Sequence, residues 1–157
     1  IAATVAELLN TLAGLMGSSY RLQAIQQSAN TNLMDVALAR PDATGLVVPA
    51  LLELGTPTGV AVPQLGETVQ KVGRTTGLTT GSVQQIDVTV DVDYNGKTAR
   101  FTNQIIASGM SSPGDSGSAI LNMDKKVVGL LFAGSGQITI FTPIQQIINH
   151  FGIEVII

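Results

Sequence analysis

A serine stands between two glycines in Gly114-Asp115-Ser116-Gly117-Ser118, a turn reached through Ser112-Pro113. Serines are common on protein surfaces, but here each neighbour has a chemical use. Gly114 can take backbone angles closed to other residues, so its N–H can turn inward beside that of Ser116. Two such N–H groups form an oxyanion hole, which stabilises the tetrahedral intermediate of acyl transfer. Gly117 leaves room for a carbonyl to approach the hydroxyl. A serine hydroxyl still needs a base, normally a histidine held by a carboxylate. The competing reading is a Gly-rich structural turn, and the paired glycines and the aspartate favour the nucleophile.

The elements that must position this turn read as strands. Val69–Gly73 is a short strand, and Gly77–Gly81 reads as a turn-rich link. Ile86, Val88, Val90, Val92 and Tyr94 alternate with Asp87, Thr89, Asp91 and Asp93, the clearest strand pattern in the chain. Asn95-Gly96 follows as a two-residue hairpin signal, and Lys97–Asn103 returns as the partner strand. Ser118–Asn122, Lys126–Ala133 and Gln137–Thr142 add three strands, with Asp124-Lys125 as a turn. After Thr142-Pro143, the residues Ile144, Ile147, Ile148 and Phe151 carry helical spacing. Six strands and no long helix predict an all-β, closed antiparallel barrel or a sandwich, with a short C-terminal helix.

The first part of the chain is less regular. Val5, Leu8, Leu9, Leu12, Leu15 and Met16 recur at helical spacing until Gly17-Ser18-Ser19, although Ile1–Val5 also suits a strand. Asn30-Thr31-Asn32 is a turn signal, and an apolar run around Asp35 follows it. Pro41, Pro49, Pro57 and Pro63 mark connecting segments and a domain junction.

Composition narrows the function classes. The chain has 157 residues, 45% hydrophobic and 12% charged, with 17 glycines and a formal charge of −3. That suits a compact β-rich body, and the lack of any Lys/Arg run argues against nucleic acid as a partner. No apolar stretch reaches the roughly 18–20 residues of a membrane span. Without cysteine there is no disulfide framework and no thiolate metal site. The compartment is not read from this chain, though the lack of Cys leans towards an intracellular one. Asp87, Asp91 and Asp93 share one strand face, where alternation predicts a solvated polar face rather than a calcium site. Gly73–Gly81 lacks the Gly-Lys-Ser/Thr ending of a phosphate loop. No metal or cofactor is expected.

Ser112–Ser118, then Val127-Val128-Gly129-Leu130-Leu131-Phe132-Ala133-Gly134-Ser135, then Ile140-Phe141-Thr142-Pro143-Ile144, resembles the C-terminal barrel of the trypsin/chymotrypsin-like serine proteases. Val72-Gly73-Arg74-Thr75-Thr76-Gly77-Leu78-Thr79-Thr80-Gly81 resembles the Thr-Thr-Gly segment of their bacterial, streptogrisin-like branch, and Asn32–Ala39 resembles the segment carrying the triad aspartate. The resemblance implies a chymotrypsin-like antiparallel β-barrel fold, divided into the last part of the N-terminal barrel (1–45), a linker (46–65) and the C-terminal barrel with its closing helix (66–157). It implies Ser116 as nucleophile, Asp35 as the acid that orients histidine, and Gly114 and Ser116 as oxyanion-hole donors. Phe132, Ala133 and Gly134 would pair with substrate backbone. The specificity pocket would have its floor near Met110 and walls at Ser111 and Thr139. A neutral floor argues against a Lys or Arg preference, since no carboxylate is there to pair with a buried cation. Small or medium apolar side chains are expected.

One part is missing. No histidine precedes Asp35, and the sole histidine, His150, falls in the closing helix, which in the family packs away from the nucleophile. The expected enzyme is therefore a serine endopeptidase whose histidine comes from an N-terminal segment of the same precursor, with proteolytic processing before Ile1. In the family a new N-terminal Ile commonly pairs with the aspartate before the nucleophile, and Ile1 looks wrongly placed for that. The alternatives are a non-catalytic protease-like module that binds peptides, and a structural self-assembly domain.

Overall fold

The computed structural model describes residues 10–11, 31–39, 41–42 and 45–157. Apart from Asn10 and Thr11, which are helical, the helix reading of Ala3–Met16 lies outside the described residues.

Two short strands come first, β1 (Thr31–Asn32) and β2 (Gly59–Val60), followed by β3 (Thr68–Gly73), β4 (Gly77–Tyr94), β5 (Lys97–Ser108), β6 (Ala119–Asn122), β7 (Lys126–Gly134) and β8 (Ile138–Pro143). The helix α1 (Ile144–Phe151) follows at once. Strands β3 to β8 form a closed antiparallel ring in the order β3-β4-β5-β8-β7-β6, with β6 returning to β3. β1 and β2 are added in parallel, on β5 and β7 respectively. The all-β expectation holds, and six strands carry it.

Two local readings need correction. Gly77–Gly81 is not a link, because Gly73 pairs with Gly77 across a short turn and residues 77–81 continue as β4. Thr and Leu at alternate positions make this stretch a good strand despite its glycines. Thr31-Asn32 is strand rather than turn, since β5 supplies partners and Asn32 Nδ2 reaches the Arg100 carbonyl at 3.1 Å. Asn95-Gly96 turns as expected, with φ values of 54° and 85°, the left-handed pair that a tight hairpin needs. On the solvated face of β4, Asp91 pairs with Arg100 at 2.8 Å, and Asp93 accepts the Gly96 N–H at 2.6 Å.

The alternation of the strands fills the ring with Val69, Val83, Ile105, Ile120, Val128, Leu131 and Phe141. β7 and β8 approach closely at Gly129, where a Cβ would run into the Phe141 ring. A second cluster forms where Ile144 and Ile147 of α1 cover Leu54, Leu121 and Val127. The helix starts on Pro143 and ends on Gly152, whose φ of 62° and N–H bond to the Ile148 carbonyl form a left-handed cap. No helix among the described residues is long and apolar enough to cross a membrane.

Candidate active site

The turn from Ser112 to Ser118 is built around the side chain of Asp115, which is 1% exposed. Its carboxylate accepts the N–H groups of Ser112 (3.0 Å), Thr75 (2.8 Å) and Thr76 (3.2 Å), and the Thr76 hydroxyl at 2.7 Å. Burial pushes its acidity towards the neutral form, but the bonds from Thr76, Ser112 and Thr75 outweigh burial and hold the carboxyl well below the usual range. Lys71, also fully buried, lies 3.4 Å away. The Arg74–Thr76 turn is thereby tied to the Ser112–Ser118 turn.

The rest of the turn is tied to β7. Gly117 N–H donates to the Leu131 carbonyl at 2.7 Å, and Leu131 N–H returns to the Ser118 carbonyl at 3.0 Å. Gly114 has a φ of 102°, and a Cβ there would sit 2.5 Å from Thr75 Oγ1. Gly117 has a φ of 91° and open space where a Cβ would stand. Neither the Gly114 nor the Ser116 N–H has a partner among the described residues. Ser116 itself is exposed, and its hydroxyl donates to the Phe132 carbonyl at 3.3 Å.

Ser116 opens onto a cleft of about 450 Å³. Residues 131–136 form one wall, Val92, Asp93 and Tyr94 the other, and Ser111–Pro113 continue from the turn that carries Ser116. Of the residues singled out in the sequence, Ser116, Ser111, Phe132, Ala133 and Gly134 thus share one cavity. Met110 and Thr139 stand behind it: both are buried, and Thr139 Oγ1 accepts the Met110 N–H at 3.0 Å and contacts Ser111 Oγ at 2.9 Å. Asp35 is exposed and reaches the cleft through Tyr94, whose hydroxyl donates to it at 2.6 Å. Partial desolvation and then the Asp35 carboxylate push the Tyr94 phenol upward, so it remains a donor. His150 lies on α1 and lines a different cleft, with Leu33, Met34 and Asn103, while its ring meets Phe151 edge-on at 4.7 Å.

Two residues of this arrangement were not singled out in the sequence. Tyr94 carried no signal beyond an aromatic at a hairpin tip. Lys71 did carry one, because strand alternation puts it on the same face as Val69 and Gly73, an inward face.

An exposed serine on a glycine-flanked turn, backed by a buried aspartate, is the local arrangement that the chymotrypsin-like fold carries in the proteins this chain is similar to. The Trypsin family model matches residues 18–150, and the chain belongs to that family. Among solved structures, Thermobifida fusca Protease A is 29% identical at a TM-score of 0.56, covering 64% of this chain and 54% of that one. Cellulomonas bogoriensis chymotrypsin is 28% identical at a TM-score of 0.54, covering 62% and 54%. A serine protease described as glutamic acid specific is 25% identical at a TM-score of 0.58, covering 72% and 64%. The fold is the chymotrypsin-like β fold of these bacterial serine proteases, and the chain spans about half the length of the first two. No curated protein matches.

Proposed function

We propose that this chain is the nucleophile-bearing part of a serine endopeptidase. Ser116 Oγ attacks the scissile carbonyl, its proton passes to an imidazole, and the Gly114 and Ser116 N–H groups receive the oxyanion. The imidazolium protonates the departing amine, and water then releases the acyl group from Ser116. Asp35 orients that imidazole, which belongs to a histidine on a polypeptide segment outside these 157 residues, in the N-terminal part of the same precursor. Residues 1–45 would then belong to the N-terminal barrel, 46–65 to the linker and 66–157 to the C-terminal barrel.

The observation that carries this reading is the exposed Ser116 in one cleft with Phe132, Ala133 and Gly134, on a turn whose Gly114 and Ser116 N–H groups have no partner among the described residues. Substrate backbone would add to that edge as an extra strand. The pocket would have Ser111 as its wall, with Met110 and Thr139 supporting it from behind. Val92, Leu131, Phe132 and Ala133 around the cleft suit small or medium apolar side chains. A fluorophosphonate probe tests the reading, with intact masses read on the full-length gene product. Labelling at Ser116, together with a histidine-bearing segment in the same assembly, supports it; no labelling of the full-length product under any condition would sink it. A specific observation favours a second reading, that of a non-catalytic peptide-binding module: the Asp35 carboxylate is already bonded to Tyr94. Peptide binding without any labelling would select that module.

A further inference from the structure

The cleft beside Ser116 carries charge of one sign. Among the described residues that line it, Asp93 is the one charged side chain. Its carboxylate is exposed and half used: Oδ1 accepts the Gly96 N–H at 2.6 Å, whereas Oδ2 has no partner among the described residues. The ion pairs Lys71–Asp115 and Asp91–Arg100 both leave Asp93 out. Lys97, the next cation along the chain, stands opposite Tyr94 in the strand register and pairs with no acid among the described residues.

Tyr94 adds an aromatic ring to the same wall. Its hydroxyl is held by Asp35 at 2.6 Å, and its ring lies 6.3 Å from that of Phe101, which packs on Phe132 at 5.0 Å. The wall is thereby fixed relative to the strand edge across the cleft. A cation is favoured beside a carboxylate and against an aromatic ring, and Asp35 sets a second carboxylate just past the Tyr94 hydroxyl. An acidic side chain would meet like charge there. Position along the peptide follows from the edge. Ser116 Oγ touches the Phe132 carbonyl, and residues 132–136 run on from that point at about 3.3 Å per residue. Ser111 Oγ stands against the Cα of Gly134, so the pocket proposed for the acyl side chain adjoins this stretch. The edge therefore pairs with residues that precede the scissile bond.

We propose that Asp93 and Tyr94 form a subsite for a basic side chain, a Lys or Arg two to four residues before the scissile bond. The substrates are then peptides that combine this distant cation with a small or medium apolar residue at the bond itself. The proposal rests on reading Ser116 as the nucleophile and Phe132–Gly134 as the substrate-pairing edge. Two parts of one cleft read opposite chemistries. The inner pocket, backed by buried Met110 and Thr139, has no carboxylate to pair with a cation out of water. The outer wall is open, so an ammonium or guanidinium keeps most of its hydration and gains the Asp93 charge and the Tyr94 ring.

The test compares peptides cleaved by the full-length gene product, each with Ala at the scissile bond and Lys or Gln placed in turn two, three and four residues before it. At one or more of these positions Lys is expected to raise kcat/KM about tenfold over Gln, the scale of a partly exposed charge pair with a cation–π contact. Added salt should shrink that ratio. Asp93→Asn keeps an oxygen for the Gly96 N–H and removes the charge, so the ratio should fall to about one. Asp93→Lys should favour Glu over Lys. A ratio near one at all three positions in the wild type, or a Lys preference that survives Asp93→Asn, overturns the proposal. A wild-type protein that neither cleaves these peptides nor takes a fluorophosphonate at Ser116 sinks the protease reading separately. Wherever cleavage is absent, binding of the same peptides decides for the subsite. Tighter binding of a Lys peptide that Asp93→Asn abolishes supports it; equal affinities, or a preference that survives the substitution, refute it.

Discussion

In the Ser112–Ser118 turn, polar groups find partners a few residues away or on β3, β7 and the Arg74–Thr76 turn, and Asp115 at its centre is buried. The segment around Asp35 is built differently. It is pinned through the Leu33 carbonyl, which accepts from Gln104 at 2.7 Å and from Gln146, and through the Tyr94 bond. Leu33 and Leu38 stay more than half exposed, at 51% and 57%. Nine of the sixteen exposed large apolar side chains among the described residues lie between Leu33 and Leu65, the shorter part of the molecule. Dense exposed apolar surface marks a face that another element or chain covers. The Ser112–Ser118 turn therefore carries its own supports, whereas the Asp35 segment leaves large apolar side chains open to solvent.

The contrast can be broken at several points. Ser116→Ala should cost most, on the order of 10⁶-fold in kcat with the fold intact, whereas Asp35→Asn should cost about 10⁴-fold. Hydrolysis of a peptide substrate by the histidine-complemented protein measures both. A loss at Asp35 of under tenfold would remove it from the triad. Next in size, Gly73→Ala forces a methyl group into the Asp115 carboxylate and should cost roughly 1–3 kcal/mol in urea unfolding. Leu38→Ala, on the exposed segment, should stay within about 0.5 kcal/mol.

Acid acts on the turn in a definite direction. The folded state holds Asp115 below its ordinary value of 3.8, so its contribution is complete above that value and is lost as pH falls through the folded one. Stability should therefore hold through mild acidification and decline only below about 3.8, and Asp115→Asn should flatten that decline. Thermal melts across the acid range check it. Smallest, Tyr94→Phe removes one partly exposed hydrogen bond worth about 0.5–1.5 kcal/mol, so kcat/KM should change less than about tenfold. A larger change would mean that Tyr94 sets the position of Asp35.

Much of this was legible along the chain, because the signals were local. Alternation marked the strands, Asn95-Gly96 marked the hairpin, and Pro143 marked the helix start. The Gly77–Gly81 strand was hidden, because its glycines read as a turn until β3 supplied a partner on the other side of Arg74–Thr76. Lys71 was half legible: its inward register could be counted, but the carboxylate that makes the register tolerable lies 44 positions further on.

By itself, the sequence determined which chemistry is available, since residue type and short spacing decide whether a serine can have glycine freedom and an aspartate beside it. It also determined that the body is built of strands, because a period of two is a local property. The tertiary structure alone decided which groups meet. β3 brings Lys71 and Thr76 to Asp115, β7 brings the Phe132 carbonyl to Ser116, and the β4–β5 hairpin brings Tyr94 to Asp35. Those meetings depend on strand register and ring closure, which are set by packing summed over the whole core and not by any window of residues.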